Sequence, residues 1–254
     1  YQPNAIIAPQ GPDARWVGNE QGIGDETEWS RFPSQVVFHG SADGIVWYPA
    51  ECDVSIRQGW FYHEEQNSQI KSVEHLIDIY FKSVGRNSNL LLNVPPDKDG
   101  LFTGGDVIRL REWRTKLDEI FSRDVFLNKK ASCSNYRYAA AEYSPAQCLD
   151  NNRKTFWAAD KDTLKAELII DMEQQEKINI IKLEEAIEYG QRIAEFKIYA
   201  EINGDWQEIT SGTTVGRTRL LKFEPVTASK IKIKIVNSLA APTLRTLSAY
   251  YAEF

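Results

Sequence analysis

The chain has 254 residues, enough for one large domain or two ordinary ones, and its 42% hydrophobic and 26% charged residues are those of a globular protein. A net charge of −6 argues against a nucleic-acid partner, whose affinity rests on clustered Lys and Arg. No apolar run approaches the roughly 20 residues that a membrane-spanning helix needs.

Residues 1–123 alternate strand-like and helix-like patterns. The run Ala5-Ile6-Ile7-Ala8 predicts a first buried parallel strand, stopped by Pro9, Gly11 and Pro12. After it a loop packs a guanidinium (Arg15), an aromatic (Trp16) and a carboxyl (Glu20) close together, and loops behind parallel strands are where α/β proteins keep their chemistry. Residues 48–56 hold a second strand that ends in the polar Glu51, Asp53 and Ser55. Val73, Leu76, Ile77, Tyr80, Phe81 and Val84 then recur at helical spacing, with Ser72 to cap the start and Gly85 to end it. Leu90-Leu91-Leu92-Asn93-Val94 reads as a third buried strand stopped by Pro95-Pro96. A second amphipathic helix is expected over residues 106–121, with Leu110, Trp113, Leu117, Ile120 and Phe121 on one face. Strands and helices in alternation, without hairpins, predict a parallel sheet.

Residues 127–254 change period. Lys230-Ile231-Lys232-Ile233-Lys234-Ile235 alternates strictly, as do residues 194–199, which marks half-buried antiparallel strands. Shorter runs at 164–171, 178–183, 206–209, 220–223 and 244–250 bring the expected total to seven or eight strands, with Asn203-Gly204-Asp205 as one of the turns. The prediction is an antiparallel β-sandwich. The three cysteines allow at most one internal disulfide, and Cys133 and Cys148 lie in the same half. Cys52 reads as a small buried residue. The histidines (His39, His63 and His75) are scattered, and no pair has metal-ligand spacing.

Three long motifs appear in order. They are Arg15-Trp16-Val17-Gly18-Asn19-Glu20, the run from Trp47-Tyr48-Pro49-Ala50-Glu51-Cys52-Asp53 to Gly59-Trp60-Phe61-Tyr62-His63, and the run from Ser83-Val84-Gly85-Arg86-Asn87-Ser88-Asn89 to Pro95-Pro96. Together they resemble the C-terminal part of the catalytic domain of glycoside hydrolase family 29 α-L-fucosidases, over about residues 1–122. The Trp-Val-Gly-Asn-Glu form resembles the subgroup acting on α-1,3- and α-1,4-linked fucose. The second half is similar to a discoidin-like (coagulation-factor type C) sandwich of the kind found in carbohydrate-binding modules. There the loop Cys148-Leu149-Asp150-Asn151-Asn152-Arg153-Lys154-Thr155-Phe156-Trp157 and the later turn at 209–216 carry the likeness.

The resemblance implies an α/β plus all-β chain: the C-terminal portion of a (β/α)8-type barrel (residues 1–123) and a discoidin-like antiparallel β-sandwich of jelly-roll, galactose-binding-like type (residues 127–254). It implies a retaining glycosidase, which uses two carboxyl groups roughly 5–5.5 Å apart, one as nucleophile and one as acid/base. Glu20 falls on the acid/base position, and Arg15 and Trp60 on positions near the fucose. Glu51 and Asp53 are weaker candidates for the acid. The family's nucleophilic aspartate lies upstream of the residues matching 15–20. This sequence is therefore expected to be the C-terminal piece of a longer exported enzyme, periplasmic or secreted, acting on fucosylated oligosaccharides or glycoproteins, and to be inactive without its N-terminal part. The alternative is a non-catalytic carbohydrate-binding or adhesion protein that works through its sandwich.

No cofactor is expected. In discoidin-like modules the loop matching 150–157 often wraps a structural calcium ion, which would make Asp150, Asn152 and Thr155 oxygen ligands. The acidic residue that usually completes such a site is replaced here by Leu244-Arg245-Thr246. The preferred reading is that Asp150 caps the turn through backbone N–H groups. Arg153 and Trp157 either touch a sugar or pack the loop.

Overall fold

The computed structural model describes residues 2, 4–7, 13–32 and 39–254. Two compact units emerge, Tyr1–Ser122 with Phe254, and Arg123–Glu253.

The first unit holds strands β1 (Arg15–Trp16), β2 (Arg31–Phe32), β3 (Val46–Trp47) and β4 (Ala50–Ser55), then helix α1 (Val73–Lys82), strand β5 (Ser88–Asn93) and helix α2 (Gly104–Ile120). Strands β1, β4 and β5 form a parallel sheet in that order, with Arg15 opposite Ala50 and Ala50 opposite Ser88. A separate antiparallel pair, β2 with β3, has no counterpart in the periodicity.

The strand expected over residues 5–8 is not formed. Ala5, Ile6 and Ile7 are irregular, Ile6 and Ile7 are exposed, and Ala8 lies outside the described residues. The first parallel strand is Arg15–Trp16 instead. It has no apolar run to announce it, and holds its place by ladder bonds from Arg15 N to Pro49 O (3.0 Å) and from Val17 N to Glu51 O (3.1 Å).

Alternation along β4 sends Ala50, Cys52 and Val54 into the core and leaves Glu51 and Asp53 half-buried on the other face. On the core side, Val54 and Ile56 pack with Leu76 and Ile79 of α1, and Leu90, Leu92, Leu110 and Trp113 close around them. The third strand is therefore half-buried rather than buried, since Leu91 between two core leucines is 50% exposed. The α1 cap is as expected: Ser72 Oγ accepts from His75 N. Cys52 is fully buried, and burial pushes its thiol up to about 12, so it is inert filling.

The second unit runs through β6 (Lys130–Cys133), β7 (Trp157–Ala158), β8 (Ala166–Glu184), β9 (Ile193–Ile202), β10 (Asp205–Gly212), β11 (Arg219–Ser238), β12 (Thr243–Leu244) and β13 (Thr246–Tyr250). Four expected strands merge into two. The runs at 164–171 and 178–183 both belong to β8, and those at 220–223 and 230–235 both belong to β11. Each long strand is bent where the register slips. One slip falls where Lys230 pairs with Asp171 but Ala228 with Glu176, the other where Lys222 pairs with Ile180 but Val226 with Ile178. Glu173, with φ of 68°, sits in the first bend, and Pro225, which has no N–H to give a ladder, in the second.

The bends let the two halves of β8 and β11 serve two layers. One half of β8 pairs with β6, the other with β13, while β9 and β10 extend the sheet beyond β11. A single core lies between, with Trp157, Leu168, Ile170, Ile181, Phe196 and Ile233 among its members. The Asn203-Gly204 turn joins β9 to β10 with φ of 54° and 89°, the left-handed pair that a tight hairpin requires. All three cysteines are free, and Trp157 is fully buried, so it packs the loop and presents no face to a sugar.

Candidate active site

Glu20, Trp60 and Asn93 lie at the carboxyl ends of the parallel strands, where loops from neighbouring strands converge in α/β proteins. Behind β1 the chain turns through Gly18 (φ 85°) and Gly22 (φ 71°). A Cβ on Gly22 would stand 2.8 Å from Ile79 Cγ2 and 2.9 Å from Val54 Cγ1, so only glycine brings this loop down onto the core. Asn19 brackets the turn from within, its Oδ1 accepting from Gln21 N (3.1 Å) and its Nδ2 donating to Ile23 O (2.9 Å). Glu20 stands between these fixed points with its carboxyl in the open.

Behind β4 the loop carries Trp60. Its indole Nε1 donates to Glu20 Oε2 at 2.7 Å. Asn93, the last residue of β5, donates through Nδ2 to Trp60 O (2.9 Å) and to Ser55 Oγ (3.1 Å). The loops behind β1 and β4 thus meet at the Glu20 carboxyl, and the end of β5 reaches it only through Trp60. The chemistry available is that of an acid or base at a solvent-open rim, oriented by an indole N–H and flanked by a large apolar ring.

Arg15, expected near the fucose, stands inside the unit. It is 2% exposed, ion-paired with the buried Glu28, and donates to Trp29 O at 2.9 Å, with its guanidinium 5.7 Å from the Phe32 ring centre. Burial pushes the Glu28 carboxyl up from its ordinary range, and the Arg15 charge opposes that rise. Asp53 Oδ1 accepts from Trp16 Nε1 at 2.6 Å. Glu51 beside it is raised by burial and by the Asp53 charge.

The sequence does not single out Asn93, Glu28 or the buried pair Arg57–Asp106, which the structure places around the loops behind these strands. Asn93 lay inside a recognised motif but read as a strand end. Arg57 and Asp106 are 49 positions apart, and only the Thr103-to-Asp106 capping spacing hints at one of them.

In the second unit, Asp150 is engaged by its own loop. Oδ1 accepts from Asn152 N (2.9 Å) and Oδ2 from Thr155 Oγ1 (2.7 Å), while Asn152 Oδ1 accepts from Lys154 N (3.0 Å). Arg245 is ion-paired with Glu188. Among the described residues no three His, Cys, Asp or Glu side chains gather as a metal site.

Residues 20–116 match the Alpha-L-fucosidase family, and residues 130–246 match the F5/8 type C domain. The chain is 35% identical to Alpha-L-fucosidase 1 of Arabidopsis thaliana, over 100% of this chain and 53% of that protein. Among solved structures, SpGH29 superposes with a TM-score of 0.89 at 36% identity, covering 97% of this chain and 56% of that one. A Ruminococcus gnavus GH29 fucosidase in complex with fucose superposes with a TM-score of 0.87 at 30% identity, covering 95% and 51%. This chain spans about half the length of the curated relatives it matches.

Proposed function

We propose, from the match of residues 20–116 to the Alpha-L-fucosidase family and of residues 130–246 to the F5/8 type C domain, that this chain supplies the acid/base half of a retaining α-L-fucosidase site. The observation that carries the reading is the bond from Trp60 Nε1 to Glu20 Oε2, made across two loops at the carboxyl end of the parallel sheet. In the first step Glu20 protonates the departing glycosidic oxygen while a carboxylate attacks the anomeric carbon. In the second it takes a proton from the water that releases fucose. The attacking carboxylate is assigned to residues outside these 254. Trp60 offers its ring to the apolar face of the sugar and its N–H to Glu20. Arg15, buried against Glu28, steadies β1.

Fucose as the released sugar is supported by the relative solved with fucose. The Trp-Val-Gly-Asn-Glu form favours α-1,3- and α-1,4-linked fucose in branched glycans or glycoproteins. Such substrates suit a periplasmic or secreted enzyme.

The test is a leaving-group series on the longest natural form of the protein that contains this chain. Glu20→Ala should lose about 10²–10⁴-fold on fucosides with poor leaving groups and far less on aryl fucosides with good ones. An equal loss on both would remove Glu20 from the role. Because Glu51 has a raised carboxyl, Glu51→Gln belongs in the same series. A leaving-group-dependent loss there, with Glu20→Ala silent, would transfer the role to Glu51.

A further inference from the structure

The segment that carries Trp60 is fastened from beneath by a buried ion pair. Arg57 and Asp106 are both fully buried. Arg57 Nε lies 3.1 and 3.2 Å from the two Asp106 oxygens, and Nη2 lies 2.9 Å from Oδ2. Thr103, the cap of α2, joins the pair: its Oγ1 accepts from Arg57 Nη2 and donates to Asp106 Oδ2, each at 2.9 Å. Asp106 is thereby turned from its ordinary place in the first turn of a helix toward a guanidinium three residues before Trp60.

The other side of the segment closes on the same group. The Tyr62 ring centre lies 5.5 Å from the Arg57 guanidinium carbon. Residues 57–62 form an arch whose one foot is Arg57 itself and whose other foot, Tyr62, rests on the Arg57 side chain. Lys71 Nζ ties the root of the arch through Ser55 O (2.7 Å) and Arg57 O (3.0 Å). Trp60 sits within the arch, its carbonyl held by Asn93 and its indole bonded to Glu20.

A buried ion pair is weak grounds for stability, since taking both charges out of water costs about what their attraction returns. Its geometric constraint is another matter, because a bidentate guanidinium–carboxylate contact fixes direction as well as distance. We infer that Arg57 and Asp106 are positioning residues for the acid/base step: they set the Trp60 arch, and through the indole N–H they set the direction of the Glu20 carboxyl. The inference rests on the role proposed for Glu20. It adds that the acid's alignment is controlled from beneath the Trp60 loop, by buried residues whose side-chain bonds go to each other and to Thr103 and not to Glu20.

The test uses the same longest natural form and leaving-group series, with Asp106→Asn and Arg57→Lys as variants. Both keep the volume and part of the hydrogen bonding while breaking the bidentate charge pair. Misplacing a reacting group by about 1 Å costs on the order of 10²-fold, so each variant should lose roughly 10–10²-fold on poor leaving groups and little on good ones. Glu20→Ala with Asp106→Asn should lose no more than Glu20→Ala alone. The second readout is the Trp60 indole ¹⁵N–H resonance, assigned with Trp60→Phe. It should shift when Glu20 is replaced by Ala, and in both clamp variants this response to Glu20→Ala should weaken or vanish.

If Glu20→Ala itself lacks leaving-group dependence, the role of Glu20 fails and this inference with it. If Glu20→Ala behaves as expected while the clamp variants lose both substrate types in parallel and keep the indole response, Arg57 and Asp106 serve folding only and the inference is overturned. Should Asp106→Asn not fold, Arg57→Lys carries the same comparison. Should neither fold, the pair is a folding requirement and the inference is overturned as well.

Discussion

A carboxyl that must give up a proton and later take one back has to point the same way at both moments. In the role proposed for it, Glu20 would be held to that condition by neighbours, through the Gly18 and Gly22 turn, the Asn19 brackets and the Trp60 indole. Glu185 in the second unit shows the opposite use of a carboxyl. It is 2% exposed, with Oε1 accepting from Arg192 N (2.8 Å) and Ile193 N (3.0 Å) and Oε2 from Gly216 N (2.7 Å). Burial pushes it up to about 7 from the usual 4.5, against the pull of those backbone bonds. The raised value means that between these limits the folded chain binds a proton that the unfolded chain does not. The Glu185 contribution is therefore complete below about pH 4.5 and is lost as pH rises through 7, on the order of 3 kcal/mol in all. Asp124, also raised by burial, adds to the same trend. Thermal melts of the chain between about pH 5 and pH 8 should fall with rising pH. Glu185→Gln should flatten that slope while melting lower at pH 5, because an amide nitrogen cannot accept from Gly216 N–H. An unchanged slope in the variant would place the effect on other groups.

At the scale of elements, helix caps and turns were legible because their signals are local. Ser72, the Asn203-Gly204 hairpin and the turn chemistry of Asp150 each act within a few residues. Strand β1 was not legible, because a two-residue polar strand is specified by a ladder to residues 49–51 and by a buried partner at Glu28, not by its own composition. The long strands β8 and β11 were read in halves for a related reason: the bends interrupt the apolar alternation that marks a strand. Two consequences follow for measurement. Ser72→Ala removes one cap bond and should cost about 1 kcal/mol in urea unfolding, while Thr103→Ala also strips Arg57 and Asp106 of a partner and should cost roughly 2 kcal/mol or more. The reverse ranking would mean that the Thr103 cluster contributes nothing beyond a cap. The Asp150 oxygens are committed to Asn152 N and Thr155 Oγ1, so calcium against chelator should move the melting midpoint by less than ~1 °C. A rise of several degrees would assign the loop to a cation.

For the molecule as a whole, the sequence motifs located the carboxyl and the ring that meet, because Glu20 and Trp60 each stand in a motif that carries the resemblance. They did not locate what aligns them, since Asn93 and the Arg57–Asp106 pair act through contacts between distant segments. Nor did they reveal that Arg15 is buried, because a guanidinium in a rim-like motif looks the same whether it faces solvent or a buried Glu28. A retaining mechanism gives the two carboxyls different signatures when each is removed. Without the acid/base, azide replaces water against the glycosyl-enzyme and the product keeps the anomeric configuration of the substrate. Without the nucleophile, azide attacks the substrate itself and inverts it. The most direct measurement is therefore the anomeric configuration of the fucosyl azide formed by Glu20→Ala, in the longest natural form of the protein, from an aryl α-L-fucoside. The α-azide, with faster turnover as azide is added, is the predicted result; the β-azide would make Glu20 the nucleophile and contradict the role assigned to it.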